Sequence, residues 1–238
     1  MKAKFVLRKR ALIVLLILIL GSVSVSMAAP SFDNSLSPGV GYDPLNAAEQ
    51  QRALNMALGN AGGVSGGING SGVRSEILLV ERHQESKDIY RQGVWPRRAD
   101  VYVYNYDANT LEHRVVNLAS NTIDVTEVFS GVQLPPTANE IQTSIDLAFN
   151  APQFHSDLAA WYKKLKGEEL VSFDQLASKA FIFHASAMGT ANVGNAKVCG
   201  IERCVQLMVY TKDMIAFEQS PIVNLSSQQL ATVLQPGQ

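Results

Sequence analysis

The chain has 238 residues, with 20 lysines and arginines against 21 aspartates and glutamates, and its formal charge at pH 7 is −1. This length is that of one or two ordinary domains. Such a balanced charge gives no reason to expect nucleic acid or an anionic membrane as a partner.

The N-terminus predicts a secretory signal peptide over residues 1–28. Five basic residues precede an apolar block at residues 11–20, and this block is too short to cross a hydrocarbon core of ~30 Å. Ser26 and Ala28 supply the small side chains that a signal peptidase needs. We therefore expect a secreted or periplasmic protein that meets a membrane only through this segment before cleavage. An uncleaved anchor is the alternative, because two valines lengthen the apolar run.

The next segments predict a helix between two flexible stretches. Residues 29–42 show no periodicity and are expected to form a flexible N-terminus of the mature chain. Asn46 and Glu49 have the spacing of a capping box at the start of a helix. Residues 59–72 contain seven glycines and predict a flexible loop. A phosphate-binding loop is the alternative, although no Gly-Lys-Ser/Thr sequence closes the segment.

Four strands are predicted after this loop. The segments are rich in β-branched and aromatic residues and are bounded by turn formers, as strands are. Asp107 and Asn109 favour a hairpin turn between the second strand and the third. The first half is therefore a helix followed by a meander of strands at residues 76–83, 99–106, 112–118 and 122–129.

The second half repeats this plan with one added helix. Thr137 and Glu140 form another capping box. The added helix ends at Gly167, and Ser156 and Asp157 are predicted to cap its start. Four more strands are predicted at residues 179–188, 204–211, 214–225 and 228–235.

A short internal echo supports two copies of one unit. The sequence RVVNLASNTIDV at residues 114–125 is similar to PIVNLSSQQLATV at residues 221–233. Repeated sequence at a wide spacing is typical of repeated structural units. The sequence therefore predicts an α+β fold with two helix-then-meander units.

The chain has two cysteines, Cys199 and Cys204. In an oxidising compartment this pair favours a disulfide that closes a short loop. A metal site is the alternative, but two thiolates need further soft ligands, and no other cysteine or histidine lies nearby in the sequence. We predict the disulfide.

One long segment carries a family resemblance. The sequence PRRADVYVYNYDANTLEHRVVNLASNTIDVTEVFSGVQLPP at residues 96–136 resembles the stretch that joins the second and third N-terminal domains of copper amine oxidases. A weaker likeness extends over residues 44–233. The resemblance implies two tandem cystatin-like units, each with a helix across an antiparallel sheet of about four strands. The implied domains are residues 43–131 and 132–238.

The same resemblance implies that the catalytic part of the family is missing. Copper amine oxidases oxidise a tyrosine in an Asn-Tyr-Asp/Glu motif to a quinone, beside copper held by a His-x-His pair and a third histidine, in a C-terminal β-sandwich. We expect no such domain here. The prediction is therefore no catalytic residue, no metal ligand and no cofactor. Whether the chain is an enzyme stays open, with the absence of activity favoured. The four histidines include no His-x-His pair: His83, His113, His155 and His184.

Tyr106 matches the quinone motif literally, because it lies between an asparagine and an aspartate. The triplet falls inside the likeness to the N-terminal domains, and copper needs several imidazoles in one shell, so we expect an ordinary strand tyrosine. Period two places Tyr102, Tyr104 and Tyr106 on one face and Val101 and Val103 on the other. We expect the valines to face the helix and the tyrosines to form a partly exposed stripe. The reverse packing is the alternative.

Trp95, Arg97 and Arg98 precede the tyrosine stripe. These three side chains and the tyrosines form a candidate binding surface. A structural role for the arginines at the entry to the sheet, paired with Asp100 or Glu81, is the favoured alternative. The predicted function is a secreted or periplasmic non-catalytic protein that binds a partner protein or small ligand, or forms a homo-oligomer. The alternative is a separated non-catalytic part of a copper-dependent primary-amine oxidase that needs another chain for copper and quinone. The candidate surface comprises Trp95, Arg97, Arg98, Tyr102, Tyr104 and Tyr106.

Overall fold

The structure is a computed structural model that describes residues 43–59, 73–188 and 193–235. The predicted signal peptide, the predicted flexible N-terminus of the mature chain and nearly all of the glycine-rich segment lie outside these residues. Within the described ranges, no helix is both long enough and apolar enough to cross a membrane. All described residues belong to one compact unit.

The first half contains one antiparallel sheet with a helix on one face. The strands lie in the order β1-β2-β3-β4, and helix α1 packs through Ala53 and Ala57 against Val101, Val103 and Val116. A short helix, α2, connects β1 to β2. The elements are α1 (Ala47–Leu58), β1 (Ser75–Arg82), α2 (Lys87–Arg91), β2 (Arg98–Asn105), β3 (Thr110–Asn117) and β4 (Thr122–Ser130).

The second half contains another four-stranded antiparallel sheet, in the order β5-β6-β7-β8. Two helices pack on one of its faces, where Leu158 joins Leu207 and Val223 in the core. The elements are α3 (Ala138–Phe149), α4 (Pro152–Lys166), β5 (Leu176–Ile182), β6 (Cys204–Thr211), β7 (Ser220–Asn224) and β8 (Gln229–Leu234), with 3₁₀ turns at Phe173–Gln175, Ala185–Met188 and Gly194–Val198.

Both predicted capping boxes are confirmed. The side chain of Asn46 accepts from the backbone N–H of Glu49, whose carboxylate accepts from the Asn46 N–H, each at 2.9 Å. Thr137 and Glu140 make the same reciprocal pair at 2.9 and 3.1 Å. These pairs satisfy N–H groups that a helix start leaves without partners, so α1 and α3 begin where the sequence predicts.

The predicted cap of α4 is wrong. The helix begins at Pro152, and Ser156 and Asp157 lie inside its second turn. Proline suits the first helical turn because its fixed φ is helical and its missing N–H has no partner there in any case. Asp157 instead accepts from the side chain of Gln153 at 2.9 Å.

The echoed sequences form the same hairpin in each sheet. Each has a register shift next to its valine–asparagine pair, between Val115 and Val116 in one case and between Ile222 and Val223 in the other. Asn117 and Asn224 each accept a backbone N–H from the following turn. The chain therefore repeats a helix and a four-stranded antiparallel sheet, and its fold is α+β. The finer assignment to cystatin-like domains with the stated boundaries stays a prediction.

Candidate functional site

The strand that carries the tyrosines packs on both faces. Val101 and Val103 are buried against α1, as expected. The expected partly exposed stripe holds for Tyr102 and Tyr106, which are half-buried. It is wrong at Tyr104, because the second half of the chain covers that part of the opposite face. Tyr104 is only 1% exposed. Its hydroxyl donates to the carbonyl oxygen of Ile201 at 3.3 Å, and the guanidinium of Arg203 lies 5.2 Å from its ring centroid.

Tyr106 belongs to the same junction between the two halves. Its hydroxyl donates to Glu140 Oε1 at 2.7 Å, and its ring packs edge-to-face on Tyr104 with 5.3 Å between centroids. Burial raises the pKa of Tyr106, and the charge and hydrogen bond of Glu140 raise it further. Tyr106 therefore stays a neutral phenol that ties the first sheet to the start of α3.

A buried carboxylate, Glu76 on β1, adds a second polar link across the junction. Glu76 is 1% exposed. It accepts from the hydroxyl of Thr137 at 2.8 Å and from the amide of Asn139 at 3.2 Å. The cap residue of α3 is thus bonded to the first sheet. Sequence reasoning missed this role because Glu76 looks like the polar start of an ordinary strand.

The two arginines of the candidate surface are structural. Arg97 is buried and donates to both carboxylate oxygens of Glu49, at 2.8 and 2.5 Å. Arg98 forms ion pairs with Glu85 at 3.3 Å and Asp124 at 3.0 Å. The expected role at the sheet entry is correct, but the expected partners Asp100 and Glu81 are wrong. The capping-box glutamate is a better partner for Arg97 because it is held rigidly beside it.

The remaining candidates do not lie together on one surface. Trp95 is 42% exposed and stacks on Tyr90 of α2, with 4.8 Å between the ring centroids. Tyr102 is half-buried in the middle of the sheet and stacks on His113 at 4.5 Å. The six predicted residues therefore differ in exposure: two are buried, three are half-buried and one is exposed. In that order they are Arg97 and Tyr104; Arg98, Tyr102 and Tyr106; and Trp95.

Next to Tyr102, four side chains form one hydrogen-bonded chain, which we call the histidine cluster. Its members are His83, Asp100, His113 and Glu127. Asp100 Oδ1 lies 2.7 Å from His83 Nδ1 and 2.8 Å from His113 Nε2. The other ring nitrogen of His113, Nδ1, lies 3.1 Å from Glu127. Because ionised carboxylates only accept hydrogen bonds, both nitrogens of His113 must carry protons to satisfy both contacts. The cluster thus links the first sheet from the end of β1 to β4.

The surroundings of His113 support its charged form. Burial works against the charge, but hydrogen bonds to Asp100 and Glu127 and their negative charges outweigh it, so the pKa of His113 is raised. Among the described residues, no group of three His, Cys, Asp or Glu side chains is arranged to hold a metal ion. The cluster was missed because its four members are brought together by strand register, which no local motif records.

Strand β4 is the most open element of the structure. All nine of its residues are exposed, and they include large apolar side chains. β4 forms one edge of its sheet, whereas the other edge strands, β1, β5 and β8, all contain buried or half-buried positions. The exposed apolar residues of β4 are Ile123, Val125, Val128 and Phe129.

Cys199 and Cys204 are joined by a disulfide in the structure. Both are buried in a small apolar cluster with Phe183 and Ile222. The loop that they close presents Ile201 to Tyr104. This loop therefore forms part of the junction between the halves.

Comparisons with known proteins support the fold. No protein-family model matches this sequence, and no curated protein matches it. Among solved structures, it is similar to a copper-containing benzylamine oxidase from Hansenula polymorpha, with a TM-score of 0.52 and 17% sequence identity. The match covers 81% of this chain and 29% of that chain. The chain therefore shares the fold of a minor part of a copper-containing amine oxidase.

Proposed function

We propose that this chain is a secreted or periplasmic, non-catalytic binding protein whose halves correspond to the N-terminal domains of copper amine oxidases. One observation carries the proposed binding role: β4 is exposed at all nine positions and forms the edge of a sheet. We place the binding site at this edge and take its ligand to be an extended segment of a protein. The disulfide suits export, because disulfides persist in oxidising compartments.

The edge of β4 provides the chemistry of strand addition. An edge strand presents a row of backbone N–H and C=O groups to which another strand can bond. Exposed edges are commonly protected by charged side chains, lysine above all, by proline or by β-bulges. β4 contains neither lysine nor proline, and its two acidic groups, Asp124 and Glu127, pair with Arg98 and His113 within the sheet. A register irregularity lies at Asp124, and the pairing of β4 with β3 is regular over residues 125–130. This regular part of the edge is suited to a partner strand.

A photo-crosslinking residue at Val128 tests the site directly. Val128 is 60% exposed in the middle of the edge strand. We expect a benzoylphenylalanine at this position, in the cells that naturally make the protein, to form a covalent protein adduct. The matched control is Val171, which is 80% exposed and lies outside the strands. No adduct at Val128, or equal adducts at both positions, would refute a binding site at β4.

A second candidate function is a separated non-catalytic part of a copper-dependent primary-amine oxidase. The extent of the structural likeness favours it, because the match covers 29% of a copper-containing amine oxidase. This candidate requires another chain with the His-x-His and Asn-Tyr-Asp/Glu motifs, encoded nearby and copurifying with this one. Mass spectrometry of the Val128 adduct distinguishes the two: identification of such a chain supports the second candidate. Copper analysis and quinone staining of the copurified pair then test for the assembled oxidase.

A further inference from the structure

We propose that the partner at the β4 edge is an antiparallel strand with a lysine or arginine opposite Glu127 and an apolar residue two positions to either side. This inference rests on the proposed function and names the chemistry of its partner. The register of β4, the side chains on one of its faces and the charges around them each support it.

The register limits the contact to the second part of β4. The pairing with β3 is irregular between Val115 and Val116, and Asp124 has no residue of β3 opposite it. The Asp124 carboxylate lies 3.0 Å from Arg98 Nε, so its charge is balanced within the sheet. An irregularity of this kind disrupts the hydrogen-bonded ladder locally. An added strand therefore pairs with residues 125–130.

Three side chains of this regular part lie on the face of the histidine cluster. Glu127 pairs with His113 of β3, and Val125 and Phe129 lie two positions to either side of it. Val125 and Phe129 are 42% and 36% exposed, and the side chain of Glu127 is 52% exposed. An antiparallel strand sets one of its own residues opposite each of the three. Apolar residues opposite Val125 and Phe129 and a cation opposite Glu127 are favourable pairs across strands.

Negative charge exceeds positive charge around Glu127. Three carboxylates share this face with two histidines: Glu81, Asp100 and Glu127 with His83 and His113. Even with both rings protonated, one negative charge remains. The contact with His113 uses Oε2 of Glu127, and the half-exposed carboxylate can accept from a second donor, because its two oxygens offer several acceptor sites. The face therefore suits a cationic side chain.

The other face of the same part of β4 has no net charge. Thr126 and Val128 are uncharged, and they pair with Arg114 and Glu112 of β3. The side chains of Arg114 and Glu112 form an ion pair with each other at 2.5 Å. A partner strand therefore needs a charged residue at one position, the one opposite Glu127.

Blocked peptides of six residues test this preference. Their sequence is Thr-Val-Thr-X-Thr-Val, which places X opposite Glu127 and the two valines opposite Phe129 and Val125. X is lysine, glutamine or glutamate. In NMR titrations of the ¹⁵N-labelled chain, we expect the lysine peptide to shift the amide signals of β4. We expect it to bind at least about fivefold more tightly than the glutamate peptide, because opposite charges attract and like charges repel across strands.

Charge reversal at Glu127 is the decisive variant. Glu127→Lys should reverse the order, so that the glutamate peptide binds most tightly. Glu127→Gln keeps an acceptor for His113 and should bind the three peptides about equally. The matched control is Glu168→Lys, which makes the same change of charge at an exposed position after α4 and should keep the order of the natural chain. An unchanged order in Glu127→Lys, or a flat response of the natural chain to all three peptides, overturns the inference.

The natural partner provides a second test. We expect the protein segment that is joined to the benzoylphenylalanine at position 128 to contain a lysine or arginine with apolar residues two positions away on both sides. Combining this residue with Glu127→Lys should lower the yield of the adduct about fivefold or more. An adduct with a segment that lacks this pattern overturns the inference and leaves the proposed function standing, whereas no adduct at Val128 refutes the proposed function itself.

Discussion

Arg203 and Glu140 form an ion pair that solvent does not reach, with exposed side-chain fractions of 0% and 1%. Arg203 Nη2 donates to Glu140 Oε2 at 2.7 Å. The same guanidinium donates to the carbonyl oxygens of Leu134 and Pro135 at 3.1 and 3.2 Å. The pair therefore joins the start of β6 to the first turn of α3 and to the link between the sheets. Arg97 and Glu49 make the equivalent pair in the first half.

Replacing Arg203 by methionine should destabilise the protein strongly. Arg203→Met leaves the Glu140 carboxylate buried without its cation, which costs about 3–5 kcal/mol of unfolding free energy. Urea denaturation measures the loss. The double variant with Glu140→Gln removes the stranded charge and keeps an acceptor for the cap, so it should be less destabilised than Arg203→Met alone. Equal losses in the two variants would contradict a charge-based role for this pair.

Removing the hydroxyl of Tyr106 should lower the free energy of unfolding more than removing the hydroxyl of Tyr104. Tyr106→Phe removes a donor to a carboxylate at 2.7 Å, and such a bond contributes about 1.5–3 kcal/mol. Tyr104→Phe removes a longer bond to a neutral carbonyl, at 3.3 Å, which contributes about 0.5–1.5 kcal/mol. Denaturation curves of the two variants under one set of conditions compare them. A larger loss in Tyr104→Phe would contradict the assignment of the Tyr106 bond to Glu140 as the stronger of the two hydroxyl hydrogen bonds.

Local signals predicted much of the fold. The capping boxes at Asn46 and Thr137 depend on residues three apart, and β6 has the predicted bounds because its turn formers and apolar run agree. The predicted strand over residues 214–225 was too long. β7 begins only at Ser220, and Met214 has a left-handed φ of 68° that strands do not accommodate.

The candidate site is formed by contacts between residues far apart in the chain, and local sequence patterns do not predict such contacts. Tyr104 is buried because the second half packs on its strand, and alternation within one strand cannot reveal which face another sheet will cover. Arg97 donates a hydrogen bond to Glu49, which lies 48 residues earlier in the chain. A cross-strand alignment of β2 with β3 is the signal that pairs Tyr102 with His113. That alignment contains two of the four members of the histidine cluster, Asp100 and His113, on the same face of neighbouring strands.

The contribution of His113 to stability should fall as the pH rises. Its pKa is raised in the folded protein above the ordinary value of 6.5, so folding favours the protonated ring. The stabilisation is complete below the pKa that His113 has in the unfolded chain. It is lost as the pH rises through the higher pKa that His113 has in the folded protein. The difference in unfolding free energy between the natural chain and His113→Gln, measured from about pH 5 to pH 9, should therefore shrink with pH. A constant difference would contradict a charged His113 between Asp100 and Glu127.

Gly200 in the disulfide loop should tolerate alanine less well than a glycine in an open turn. Its φ is +108°, and an added Cβ would lie 2.9 Å from His184 Nδ1, on a ring beside the disulfide-closed loop. Gly93 is the matched control, because its φ is +70° and an added Cβ meets nothing within 4 Å. Gly93→Ala should cost about 1–2 kcal/mol for its backbone conformation alone.

The crowding at His184 should add about 1–3 kcal/mol to the cost of Gly200→Ala. Because the same loop holds the carbonyl of Ile201 against Tyr104, the substitution should also disturb the junction between the sheets. Hydrogen exchange of the first-sheet amides measures that second effect, which Gly93→Ala should not produce. Equal destabilisation by the two alanines, with unchanged exchange in both, would show that the loop accommodates a side chain and does not hold the junction.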